Sequence, residues 1–530
     1  MGRKLLTSVV CGIVGINGFT LSAETRPKLV VGIVVDQLRT DYIEYLQDYF
    51  SQGGFKRLMR DGAFLRDVDF KIPEPDVASS TAIIQTGSYP RSNGIAGSEI
   101  YNVTDKNIIP VFTDAAYIGN FTSETYSPGA LRVTTLSDEL KAAAGKESAV
   151  HSISPEASQA IILAGHDGNS AFWINDETGK WSTTTYYSGA PASLQNKNYN
   201  QPLINRLDTM RWLPLSSRNS YPDVSAKRLA DGFKYSFSRS DRDVFRYSKT
   251  SALVNRDVAE AAVEYIRDLN SGKNFETTDM LAIGLTAAPY TGVQNTGDSR
   301  YELEDTYLRL DGNIESILNA VDRYVGMENA LVYVVSTGYF NDNFTPSVDS
   351  RIPGGNFSVK RAVSLLNSFL AAKFGNGSYI DTYYNGHIFL DKNTLEEKGL
   401  DLNNIAEESR DFLVKMSGVT DAYTVADLMS PSVPQLEGHR LATDPKISGD
   451  VILEFNPGWR VIDDTRFPQI EKTQKYTSYE WPAFLLGANV ASQTIDTMVD
   501  AAQIAPTVAR LLRIRSPNGS EEKPLPIRKK

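Results

Sequence analysis

Lys28 to Asp36 reads KLVVGIVVD, an unbroken apolar run rich in β-branched side chains. Such a run predicts a strand buried on both faces, as found inside parallel sheets. Met280 to Ala287 and Ala330 to Ser336 (ALVYVVS) follow the same pattern. Between them, from Tyr301 to Val325, Leu303, Tyr307, Leu310, Ile314, Ile317, Leu318 and Val321 recur at steps of three and four, the period of an amphipathic helix. Strand, helix, strand in that order is a βαβ unit. The fold class expected is therefore α/β, with a mostly parallel, doubly wound sheet. Two stretches interrupt the alternation. Residues from about 188 to 250 are rich in Asn, Ser, Tyr, Arg and Asp, and residues from about 375 to 429 carry short elements of their own, including a predicted strand at His387–Leu390. Both read as insertions or caps on one large domain running from residue 24 to 530.

The N-terminus follows a different pattern. Arg3 and Lys4 precede a mostly apolar stretch from Leu5 to Ile16, and Leu21-Ser22-Ala23 places small residues where a signal peptidase cuts. Residues 1–23 are therefore expected to be a secretory signal, cleaved after Ala23, with the product in the periplasm or at the cell surface. The apolar stretch is short for a transmembrane span, and no later segment reaches that length, so no span is expected in the mature chain. Lipid anchoring through Cys11 is the lesser alternative, because Val9 and Val10 stand where lipoprotein signals carry a small residue. Cleavage after Ala23 leaves no cysteine, which excludes disulfides and thiolate metal sites. A net charge of −10 argues against a nucleic-acid partner, which would demand clustered Lys and Arg.

Several short motifs occur in order. V-V-D ends at Asp36 and is followed by Q-L-R-T-D-Y; G-G-F-K-R-L spans Gly53–Leu58, T-G-S-Y-P spans Thr86–Pro90 and N-G-I-A-G spans Asn93–Gly97. L-E-D-T-Y-L-R-L-D covers Leu303–Asp311, S-G-D covers Ser448–Asp450, I-A-P-T covers Ile504–Thr507 and P-N-G-S covers Pro517–Ser520. Together they resemble the alkaline phosphatase superfamily, in particular its branch of secreted monoesterases and type I phosphodiesterase/nucleotide pyrophosphatase-like proteins. The resemblance implies an alkaline phosphatase-like fold. It also implies two zinc ions at the sheet's carboxyl edge, held by three Asp and three His, and a Thr or Ser at a helix N-terminus that attacks phosphorus.

Carried across position by position, the resemblance leaves that site degenerate. The first-strand ligand is present as Asp36. The nucleophile, nine residues before Thr86, becomes Val77. The ligands in the loop before the long helix become Pro289 and Val293, the strand-end Asp-His pair becomes Gly338 and Tyr339, and the last His becomes Glu480. The phosphate-contacting Asn and the Lys-x-Arg pair become Ser98, Glu156 and Ser158. A slip of the register would make Ser79, Ser80 or Thr81 the nucleophile instead. The four histidines, His151, His166, His387 and His439, fall outside the expected metal motifs. Asp36 reads either as a remnant ligand or as a cap for the following helix, and Glu480 could join it in an oxygen-donor site for Ca²⁺ or Mg²⁺. No cofactor is expected. The function expected is that of a secreted, catalytically inactive member with a binding or scaffolding role in the cell envelope, its partner an envelope protein or ligand. The alternative is an active phosphomonoesterase or phosphodiesterase with a non-standard site.

Overall fold

The computed structural model describes residues 26–529, apart from 145–146, 188–191, 216–220, 223, 270–276, 292–298, 342–353, 431–433 and 475–478. The expected signal segment, with Cys11 and Ala23, lies outside the described residues, as does Val293. Ten strands form the central sheet: β1 (Leu29–Asp36), β2 (Ala63–Leu65), β3 (Gly119–Asn120), β4 (Val150–Ser154), β5 (Ser170–Ile174), β6 (Trp181–Thr184), β7 (Asp279–Thr286), β8 (Ala330–Ser336), β9 (Ala483–Gly487) and β10 (Gln493–Ile495). Their order across the sheet is β10-β2-β9-β8-β1-β7-β4-β5-β6-β3. The middle five, β8-β1-β7-β4-β5, are all parallel, and antiparallel pairs appear only towards the two edges. The sheet is thus the mostly parallel one expected, and the first strand in the chain lies at its centre.

Alternation along β1 explains why helices cover both faces. Val30 and Val34 point to one face, where they share a core with Ile83 and Ile84 of α1 (Val77–Thr86) and Leu163 of α2 (Ala157–Ala164). Leu29, Val31, Ile33 and Val35 point to the other and pack with α3 (Leu253–Leu269) and α4 (Arg300–Tyr324), including Tyr307, Leu310 and Ile314. Each such side chain, once buried, contributes roughly 1.5–3 kcal/mol. The strand expected at 280–287 and the helix expected at 301–325 sit within one residue of β7 and α4. Among the described residues no helix is long and apolar enough to cross a membrane.

The described residues of the stretch 188–250 fold onto α4. Trp212, Tyr221 and Phe233 join the core on that face. Buried Asp305 accepts hydrogen bonds from Trp212 Nε1 at 2.6 Å, Leu215 N at 2.6 Å and Tyr221 Oη at 2.7 Å, and pairs with Arg309. The stretch 375–429 belongs to a larger lobe. There Ile380–Tyr384, His387–Leu390, Val451–Phe455 and Val419–Thr424 form an antiparallel sheet over a separate core with the helices Val359–Phe374 and Leu402–Leu413. A three-stranded sheet of Asn356–Ser358, Arg460–Asp463 and Ile470–Thr473 extends from this lobe towards the carboxyl edge of the central sheet.

Candidate functional site

Parallel strands end together. Asp36 closes β1 in register with Thr286 of β7, and Val35 lies opposite Ser336 of β8, so Thr337, Gly338 and Tyr339 leave the sheet at the same edge. Ligands of open α/β sheets bind in the crevice outside this edge. A cavity of about 790 Å³ lies there. Asp36, Gln37 and Thr286 line its floor, Glu156, Gln159, Lys249 and Pro289 line one side, and Glu74, Arg460 and Lys472 line the other.

The floor is a network of neutral donors around one carboxylate. Thr337 Oγ1 donates to Asp36 Oδ1 at 3.0 Å, and Gln37 Nε2 donates to Oδ2 at 3.2 Å. The Tyr339 hydroxyl makes a third hydrogen bond to Asp36. Gln37 adopts a left-handed conformation (φ 60°), its N–H donates to Thr337 Oγ1 at 2.9 Å, and its Oε1 accepts from Asn341 N at 2.7 Å. Asp36 remains reachable from the cavity, yet it is sunk deeply enough that burial outweighs these bonds and raises its pKa to about 6. Burial, and then the neighbouring Asp36, push the Tyr339 phenol well above 10, so it stays protonated. Asp36 caps no helix: the next one, Thr40–Leu46, starts without a side-chain cap. The capping alternative is therefore set aside, because the carboxylate faces back across the strand ends instead.

Val77 is the first residue of α1, where the resemblance puts the nucleophile, and it offers no nucleophilic atom. The residue before it, Asp76, occupies the helix cap. Its Oδ1 accepts from Ser79 N and Ser79 Oγ, both at 2.8 Å, and its Oδ2 accepts from Ser98 N and Ser98 Oγ, both at 2.7 Å. An internal carboxylate thus takes the end of the helix that favours anions. The alternative nucleophiles fare no better. Ser79, Ser80 and Thr81 are fully buried and none lines the cavity; Ser79 is committed to Asp76, and Thr81 Oγ1 bonds back to Val77 O at 2.6 Å. The helix is held in place by Gln85 Nε2, which donates to Tyr333 Oη of β8 at 2.9 Å. Gly32, opposite Tyr333 in β1, makes room for that ring, since a Cβ there would lie 2.2 Å from Tyr333 Oη.

The remaining positions divide. Pro289 lines the cavity without a donor atom, and Ser158 lies in the first turn of α2, off the lining. Gly338 sits at φ +71°, and a Cβ would fall 1.9 Å from the Phe70 ring. An Asp there would require Phe70 to move. Glu480, expected beside Asp36, is not in the cavity lining: its side chain is about half exposed, 3.6 Å from Arg66. The carboxylate pair that a Ca²⁺ or Mg²⁺ site would use is therefore not assembled. None of the four histidines lines the cavity. His166 pairs with Asp138 at 2.9 Å, His151 bonds Ser170 at 2.6 Å, His439 lies 3.6 Å from Glu454, and His387 is partly buried, with desolvation holding its pKa down to about 4.

Cations reach the cavity from other parts of the chain than the Lys-x-Arg positions now held by Glu156 and Ser158. Lys249, at the end of the helix Val244–Lys249, lies 3.2 Å from Glu156 and 2.5 Å from Asp176. Burial pulls its pKa down, but the two carboxylates outweigh this and leave it raised. Arg460 pairs with Glu471 at 3.1 Å, and Lys472 pairs with Glu74. Nothing local in the sequence points to Lys249, because it lies far along the chain from Asp36 and Glu156. Asp76 did carry a signal, three residues before a Ser at a helix start.

The donor set decides the fit to the implied zinc ions. A zinc site takes about four ligands, drawn from imidazole, carboxylate and thiolate. At the positions described here one carboxylate, Asp36, and one protonated phenol, Tyr339, face the cavity; Pro289 and Gly338 contribute no side-chain donor. These residues do not fit a two-zinc centre.

A family model for type I phosphodiesterase / nucleotide pyrophosphatase matches residues 30–479. The chain is 28% identical to alkaline phosphatase PafA of Elizabethkingia meningoseptica, over 98% of this chain and 97% of that protein. It is 29% identical to alkaline phosphatase PhoV of Synechococcus elongatus, over 93% of this chain and 92% of that protein. The crystal structure of wild-type PafA superposes with a TM-score of 0.80 at 27% identity, covering 95% of this chain and 99% of that chain.

Proposed function

The chain belongs to the type I phosphodiesterase / nucleotide pyrophosphatase family, and we propose that within it this protein is a catalytically silent, exported member that binds rather than hydrolyses. The observation that carries the reading is at the start of α1. Val77 stands where a hydroxyl must attack, and Asp76 already fills the helix end that should cradle the phosphoryl group. The floor supports it, with a lone carboxylate among neutral donors where two Lewis acids would be held. Charge acts in the same direction. Lys249 stabilises Glu156 and Asp176 and has no donor to spare for an incoming phosphate. The reading places the mature protein in the cell envelope, with Glu24 at its N-terminus; mass spectrometry finding an intact Met1 or a lipid on Cys11 would count against that part.

A second reading has one specific observation in its favour. Two relatives matched over nearly their whole length are named alkaline phosphatases, so phosphate-ester hydrolysis through a non-standard site competes with silence. Turnover separates the two. With p-nitrophenyl phosphate and bis-p-nitrophenyl phosphate, in the presence of added Zn²⁺, the silent reading expects rates at the buffer background. Saturable turnover that survives repurification would establish the second.

A further inference from the structure

We propose that the cavity at the sheet's carboxyl edge takes a small organic ammonium ligand of amino-alcohol or amino-sugar size, with Asp36 as its counter-ion. The proposal deepens the binding reading above and rests on it.

Charge on the cavity wall is paired off except at one position. Among the described residues, the lining holds three cations, each already matched: Lys249 by Glu156, Arg460 by Glu471, and Lys472 by Glu74. Asp36 is the remaining carboxylate among the described residues of the lining, and its hydrogen-bond partners, Thr337, Gln37 and Tyr339, are all neutral. A sunken carboxylate without an opposite charge is costly. A ligand cation relieves it. An ionised carboxylate offers about four acceptor positions. Three are taken here, which leaves about one for an N–H donor from the cavity.

The same wall sets the kind of cation. A divalent metal needs six or more oxygen ligands or about four mixed ones, and this floor supplies one carboxylate. An ammonium group needs only one carboxylate, and is also drawn to aromatic faces. Tyr339 and Phe340 both line the cavity. Buried Gln159 adds a polar group to the wall. Its Oε1 accepts from Ser154 Oγ at 2.7 Å, and its Nε2 has no partner among the described residues. At about 790 Å³ the cavity is of the size that encloses a small molecule.

Calorimetric titration of the intact mature protein with glucosamine, glucose, ethanolamine and inorganic phosphate tests the proposal at pH 7.5. Glucosamine and glucose differ by the ammonium group alone. The expected result is that glucosamine and ethanolamine bind, that glucose binds at least about tenfold more weakly than glucosamine, and that Asp36→Asn weakens both amines by roughly tenfold to a hundredfold. Thermal unfolding of Asp36→Asn, which should match or exceed the native protein, shows that any loss is not misfolding. Glucose binding as well as glucosamine, amine binding that survives Asp36→Asn, or no binding by either amine would each overturn the ammonium assignment while leaving the silent reading intact. Phosphate binding with ester turnover would overturn both.

Discussion

Replacing Asp36 with Asn should stabilise the protein at pH 7.5 and leave it nearly unchanged at pH 4. Burial raises the Asp36 pKa from 3.8 to about 6 in the folded state. The folded protein therefore binds this proton more tightly than the unfolded chain does. The contribution of Asp36 is fully present below about pH 4 and is lost as pH rises through about 6. A shift of about two units at ~1.4 kcal/mol each makes the ionised group cost about 3 kcal/mol at pH 7.5, an upper figure because the carboxylate stays reachable from the cavity. Asn keeps an acceptor for Thr337 Oγ1 and removes the charge. For a chain of 530 residues, with an unfolding entropy of about 2 cal/mol/K per residue, the gain corresponds to a rise in Tm of about 1–3 °C. Differential scanning calorimetry at both pH values measures it. A loss of stability at pH 7.5, reversed by neither salt nor ligand, would refute the reasoning and indicate that Asp36 holds a positive charge. An equal gain at both pH values would show that the effect is not electrostatic.

Three other outcomes follow from the same geometry. Val77→Thr supplies a hydroxyl at the start of α1, but turnover of p-nitrophenyl phosphate should stay at background, since Asp76 still fills the anion position and nothing lowers the hydroxyl pKa; clear activity from this single change would reveal a metal site. Lys249→Met should cost about 2 kcal/mol in urea unfolding, below the 3–5 kcal/mol of a fully buried pair, because Glu156 and Asp176 keep about half their exposure and can rehydrate; an unchanged midpoint would mean the triad is not formed. Asp305→Ala strips the acceptor from Trp212, Tyr221 and Leu215 at once and should cost about 3–5 kcal/mol. A change under about 1 kcal/mol in the urea midpoint would contradict the anchoring role.

The fold was legible because its signatures are joints in the backbone. Asp311, which ends the L-E-D-T-Y-L-R-L-D motif, accepts from Ser51 N and Phe55 N, both at 2.7 Å, and so fixes the G-G-F-K-R-L helix against α4. Ser520 of P-N-G-S donates to Thr86 O at 3.0 Å, and Asn518 accepts from Thr134 N at 2.9 Å, closing the C-terminal segment over the T-G-S turn. Such contacts depend on backbone geometry and survive whatever happens to the chemistry nearby. The losses at the site were equally visible, because a missing hydroxyl at Val77 or a missing donor at Pro289 is a fact about one residue. Charge was less legible. Glu156 stands at a position of the Lys-x-Arg pair, and its partner Lys249 arrives from another part of the chain; Glu480 looked like a cleft residue until its side chain turned to Arg66. Asp36 could be read as a cap because sequence carries no record of which strand end a carboxylate faces; Thr337 and Tyr339 answer that only in three dimensions.

Zinc stoichiometry tests the central claim most directly. The mature protein is loaded with excess Zn²⁺, washed with chelator, dialysed, and measured by elemental analysis. A single reachable carboxylate beside a protonated phenol should retain less than about one zinc per chain. Two zinc ions per chain, retained through the chelator wash, would contradict the silent reading and restore the hydrolase.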